Sequence, residues 1–183
     1  MPYQSLSLHE VKCLRYLVEH YILTIEVNKL TIDWAEALIV SGYDSNNAYI
    51  LASFSLDKKV ESHEVKHYFN LLCEELDSDD VNLEQSLFCL IKLDFLRIAN
   101  ATDADSQSCT LSELVHQWYD SNNYILKKVL TYWNHIFYYH YDYLRDTEDN
   151  NLENEEKSFI AIKSDAVRFY RLFSQLEEMR VPS

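Results

Sequence analysis

The sequence predicts an all-α protein, a single domain of seven or eight helices packed around an apolar central helix. Three observations carry that expectation. The 183 residues include one glycine and two prolines, whereas the turns and bulges of a sheet-rich fold lean on glycine. Apolar residues recur at helical spacing in segment after segment, and no alternating stretch is long enough to argue for a sheet. Hydrophobic residues make up 48% and charged residues 25% of the chain, a globular balance that lets 1–183 bury one sizeable core.

Each element has its own signals. Ser7 with Glu10 forms a capping box for a first helix over 7–29, in which Val11, Leu14, Leu17 or Val18, Tyr21 and Ile25 share a face. A second helix over 32–41 ends at Gly42, where a left-handed residue belongs. Asp44 or Ser45 caps a third helix over 46–54, and a fourth covers 62–76. Asn82 and Gln85 cap a fifth over 83–100, apolar nearly all round and therefore central. The polar run 101–108 breaks the pattern, after which Thr110 and Glu113 cap a helix over 111–120. A long helix over 122–145, an acidic loop at about 146–156 and a last helix over 158–179 complete the chain.

Charge narrows the partners. Thirty acidic residues against 16 basic ones leave a net charge of −14. Such a field repels phosphate backbones, so nucleic acid is not an expected partner, and it steers a basic protein into contact. Solubility alone is the simpler use of the same acidity. No apolar run approaches the roughly 20 residues that span a bilayer, and the start lacks the plan of a secretion signal. A cytoplasmic protein with no membrane partner is expected. The four cysteines, Cys13, Cys73, Cys89 and Cys109, show no paired spacing and read as free thiols, most of them buried.

Two stretches are candidates for chemistry. Residues 62–67, "SHEVKH", hold the H-E-x-x-H pattern of zinc hydrolases in His63, Glu64 and His67. The charged Lys66 sits between the histidines, no glycine follows residue 42 to turn the chain toward a third ligand, and Glu84 reads as a first-turn acid. A solvated first helical turn is the preferred reading, with no catalytic residue, metal or cofactor. The second stretch, "HIFYYHYDYLRD" at 135–146, is dense in rings. Ile136, Phe137 and Leu144 read as core, whereas Tyr138, Tyr139, Tyr141 and Tyr143 are candidate partner-binding residues, since tyrosine gives large contact area and a polar tip. Base stacking would want interleaved Arg or Lys, which 129–144 lacks. The adjoining Glu148, Asp149, Glu153 and Glu155 supply a candidate acidic rim, the plainer reading being a solvated loop.

Residues 34–54, "WAEALIVSGYDSNNAYILASF", carry a more specific pattern in Trp34, Ala37, Leu38, Gly42, Tyr43, Asp44, Ser45, Leu51 and Ala52. It resembles the W-x-x-A-L-x-x-x-G-Y-D-S signature of bacterial all-helical immunity-type proteins associated with toxin loci. The resemblance implies an immunity protein that binds and neutralises a cognate toxin, with an amphipathic helix after the signature, where 62–76 falls. It is confined to the N-terminal half; at 100–118 the chain lacks the glycine and proline that the family tends to carry. A helical adaptor or regulator is the alternative, and a zinc hydrolase on His63, Glu64 and His67 the third reading.

Overall fold

The computed structural model of the protein describes residues 6–20, 25–117, 124–139 and 152–178. Among them the regular structure is entirely helical: α1 (Leu8–His20), α2 (Val27–Val40), α3 (Asn46–Ser53) with a 3-10 turn at Phe54–Leu56, α4 (Ser62–Glu75), α5 (Leu83–Asn100), α6 (Ala104–Gln117), α7 (Tyr124–Phe137) and α8 (Leu152–Glu178). The all-α expectation holds. The chain divides into two compact units, 1–89 and 90–183, and the division falls inside α5.

In the first unit, α1 opens on the expected capping box. The Ser7 hydroxyl accepts from the Glu10 N–H at 3.3 Å, and the Glu10 carboxylate accepts from the Ser7 N–H at 2.8 Å. The single helix expected over 7–29 is instead two. α1 ends at His20, residues 25–26 are not helical, and α2 starts at Val27 rather than 32. The reason is burial. Val11, Leu14 and Leu17 of α1 and Val27, Thr31 and Trp34 of α2 are all buried, and α2 packs on α1. One straight rod could not fold back on itself.

Two helices of this unit end in the same way. At the end of α2, Tyr43 N–H donates to Leu38 O (3.2 Å) and Gly42 N–H to Ile39 O (2.9 Å), the paired bonds of a Schellman motif. Gly42 has φ +97°, as expected. At the end of α4, Ser78 N–H donates to Cys73 O and Asp77 N–H to Glu74 O, each at 3.2 Å. Here the left-handed residue is Asp77, at φ 47°.

Part of the signature lies in the core, while Ala37, Gly42 and Asp44 are exposed. Trp34 and Leu51 are buried with Ile32, Val65, Phe69 and Leu72, and Leu38, Tyr43 and Ala52 pack against that cluster. The Trp34 and Phe69 rings meet edge-on at 5.8 Å, an arrangement aromatic quadrupoles favour. Arg15 is buried beside them, its guanidinium over the Phe69 ring and 3.1 Å from Thr31 Oγ1.

α5 opens on the expected Asn82–Gln85 reciprocal cap, at 2.9 and 3.0 Å. Every residue from Ser86 to Phe95 is buried, the all-round burial its composition foretells.

In the second unit, α6 begins at Ala104, earlier than expected. Its cap is Asp103, whose carboxylate accepts from Ser106 N–H at 2.8 Å; that bond holds the carboxyl below its ordinary range. Thr110 lies mid-helix and returns its hydroxyl to Ser106 O at 3.1 Å. The polar run starts the helix rather than breaking it: Asp105 and Ser106 face solvent on the first turn, while Gln107 is buried. α8 also starts early, at Leu152. Glu153 and Glu155 therefore belong to its first turn and not to an acidic loop, a position where the helix dipole favours negative charge. The core centres on Phe95, whose ring lies 5.1 to 5.3 Å from those of Trp133, Phe169 and Phe173. No helix among the described residues is long and apolar enough to cross a membrane.

Candidate functional site

The H-E-x-x-H residues occupy the first two turns of α4, which begins at Ser62. His63, Glu64 and His67 are all exposed. Lys66 has a structural partner: its ammonium is 2.7 Å from Glu19 Oε2 on α1, and Glu19 in turn reaches Arg15 at 3.5 Å. The charge that breaks the hydrolase pattern thus ties α4 to α1. Among the described residues no group of three or more His, Cys, Asp or Glu is arranged to hold a metal ion.

The tyrosine stretch is partly described. Past Phe137 the chain widens into a π-type turn at Tyr138 and Tyr139, and such turns recur at functional sites. The two rings are 47% and 60% exposed; Ile136 and Phe137, read as core, are half-buried, and Leu144 lies outside the described residues. Tyr141, Tyr143, Glu148 and Asp149 lie outside the described residues. Glu153 and Glu155 are placed by backbone alone, at the start of α8.

Sequence reasoning passed over Tyr132, two turns before Tyr139. It is 42% exposed, stacks on Phe169 at 5.4 Å and 24°, and donates its hydroxyl to Asp165 Oδ2 at 2.8 Å. Partial burial, and then the Asp165 carboxylate, push the phenol above its ordinary range. The helical period from Tyr132 to Tyr139 could have found it, because a spacing of seven puts both on one face.

Ionisable groups are also buried away from these surfaces. In the second unit Asp94 is 2% exposed and salt-bridges Arg97 at 3.0 Å, and Arg97 reaches Glu113 at 3.1 Å. Burial pushes the Asp94 carboxyl up to about 7, against the pull of Arg97. In the first unit Cys13 and Cys89 are buried free thiols. A hydrogen bond from Cys89, aided by His9 Nε2 at 3.5 Å, holds Cys13 down at about 6 despite desolvation. Cys109 is exposed and Cys73 half-buried, so the free-thiol expectation holds while burial is not uniform.

No family model matches the chain, and neither a curated protein nor a solved structure does.

Proposed function

We propose that the chain is a non-enzymatic immunity protein that binds a cognate bacterial protein toxin and neutralises it by covering its active site. The observation that carries this reading is the exposure of Tyr138 and Tyr139, at 47% and 60%, on a chain of net charge −14. Large rings left in solvent on a strongly acidic protein are what a charge-steered interface uses, with aromatic burial holding a partner that long-range attraction delivers. The W-x-x-A-L-x-x-x-G-Y-D-S resemblance supplies the kind of partner, and the acidity its sign: a basic toxin caught quickly, in the cytoplasm, before it acts.

The non-enzymatic part draws support from the exposure of His63, Glu64 and His67 and from the use of Lys66 as an inter-helix tie. A working zinc hydrolase shields its metal beneath a third ligand.

Affinity purification of the full chain from its native host tests the proposal. The expected result is co-elution of a basic protein that is toxic when expressed alone and harmless when coexpressed with this chain. Co-elution of non-toxic regulators instead, with no protection in the coexpression assay, would move the chain to the adaptor class.

A further inference from the structure

In the second unit, α7 and α8 enclose a groove of about 880 Å³ that runs along α8 from Ser164 to Gln175, with Tyr132 on its α7 side. A second hollow of about 480 Å³ shares Tyr132 and adds Lys127, Lys128 and His135 of α7. The Tyr132 ring lines both hollows.

Its charge runs against that of the chain. Thirty acidic residues outnumber 16 basic ones overall, yet the side chains lining this surface include Lys127, Lys128, Arg168 and Arg171 and a single carboxylate, Asp165. Asp165 is already engaged by the Tyr132 hydroxyl. Several other cations are committed: Arg15 and Lys66 to Glu19, Lys92 to Glu177, Arg97 to Asp94 and Glu113. Lys127, Arg168 and Arg171 have no carboxylate partner among the described residues, and all three are exposed. Two guanidinium forks that line a hollow and have no carboxylate partner among the described residues match the geometry of carboxylates, which they bind two-pronged.

Length and polarity choose among anions. From Ser164 to Gln175 there are eleven rises of ~1.5 Å, which make the groove roughly 16 Å long and accommodate about five residues of extended chain at ~3.3 Å each. A compact anion would leave most of it empty. The floor is apolar as well as cationic, with the stacked Tyr132–Phe169 rings, Val167, and Leu172 at 47% exposure. A long polyanion would meet the repulsion of the whole net charge, whereas a short acidic segment feels mainly the charges within a Debye length of ~8 Å.

We infer that this groove docks a short, extended segment of a partner protein in which acidic and apolar residues alternate. Carboxylates pair with Arg168 and Arg171 on one side and with Lys127 on the other, while the intervening apolar side chains lie against Phe169 and Leu172. The lining of the two hollows does not include Tyr138 or Tyr139, and the inference does not depend on the immunity reading.

A fluorescein-labelled hexapeptide of alternating Glu and Leu, titrated with the full chain and followed by polarisation, tests it. Binding is expected, weakening with salt and weakening at least ~10-fold when Arg168→Ala and Arg171→Ala are combined, the loss expected for charge-assisted pairs. A Lys58→Ala, Lys59→Ala variant, altered at exposed lysines of the first unit, should bind like wild type. Both arginines are exposed, so circular dichroism should show the variant folded; Leu172→Asp provides an independent disruption. No binding of the acidic peptide overturns the inference, as does equal loss in the Lys58/Lys59 variant. Tighter binding of a six-nucleotide oligothymidylate would reassign the groove to nucleic acid, and displacement by equimolar inorganic phosphate would reassign it to a compact anion.

Discussion

Ser45 and Glu75 join the start of one helix to the end of another. The Ser45 oxygen accepts from the Asn47 and Ala48 N–H groups at 3.2 and 3.3 Å and so caps α3. The same hydroxyl donates to the Glu75 carboxylate at the end of α4, which also receives the Asn47 side-chain amide. A carboxylate at the N-terminus of α3 complements that helix's dipole as well as its cap.

The first prediction follows from that pair. Ser45→Ala should cost about 1 kcal/mol for the lost cap, and Glu75→Gln less, because both groups are reached by water. The two effects should be non-additive in a double-mutant cycle from urea unfolding. Additive effects would mean that the two residues act alone.

Gly42 and Asp77 occupy equivalent positions and should respond in opposite directions. No atom lies within 4 Å of a Cβ built on Gly42, so Gly42→Val should lose stability through the left-handed backbone alone, by more than about 1 kcal/mol. Asp77→Gly should gain about 0.5–1 kcal/mol by relieving the same strain at an exposed site. Thermal midpoints of the two variants, measured side by side, check both signs.

Asp94 sets a pH dependence. Its carboxyl lies at about 7 in the folded protein against an ordinary value of 3.8. Between those values the folded chain holds a proton that the unfolded chain has released. The stability from this group is therefore full below 3.8 and is lost as pH rises through about 7. Asp94→Asn should flatten that slope, so that wild type minus variant falls steadily from about pH 4 to about pH 8. A difference that stays constant with pH would place the titration elsewhere.

The H-E-x-x-H stretch should behave as surface. Protein purified without a histidine tag is expected to carry no stoichiometric zinc by elemental analysis. His63→Ala combined with His67→Ala should leave stability within about 1 kcal/mol of wild type, as exposed changes do. One tightly held zinc per chain, lost in the double variant, would restore the hydrolase reading.

On the proposed toxin surface, charge and aromatic contact should separate kinetically. Neutralising Glu148, Asp149, Glu153 and Glu155 as Gln or Asn should slow association and weaken its salt dependence, leaving dissociation nearly unchanged. Tyr139→Ala and Tyr143→Ala should instead speed dissociation, each costing about 2 kcal/mol of binding if it is a hot spot. Surface plasmon resonance with the co-purified partner reads both rates. Folded variants of both kinds that bind like wild type would move the interface to the polar faces of α1–α4.

Much of the fold was legible because the chain punctuates its helices with short-range chemistry. Ser7–Glu10, Asn82–Gln85, Gly42 and the Asp44–Ser45 pair are all local signals, and the structure needed only to choose Ser45 over Asp44. Failures came where no local signal exists. Residues 20–27, "HYILTIEV", hold neither glycine nor proline, so the break between α1 and α2 is imposed by packing. At α6 two plausible caps compete, and Asp103 wins because the buried stripe that includes Gln107, Thr110 and Leu111 already begins behind it. The groove was invisible for another reason: Tyr132 and Phe169 are far apart in sequence, and only the stacking of α7 on α8 brings them together.

Lys12 has a further bearing. Its ammonium donates to Ser78 O and Ser78 Oγ, each at 3.1 Å, and to Asp79 O, closing the carboxyl end of α4 from α1. All three N–H bonds of that half-buried ammonium are engaged, which shields it from an acylating reagent, unlike the exposed Lys58 and Lys59. In chemical footprinting, then, Lys12 reports the integrity of the first unit while its neighbours in composition report only solvent. Acetylation of this one amine would act as a lesion in the fold, breaking the tie from α1 to the turn after α4, where Asp77 already sits in the left-handed region.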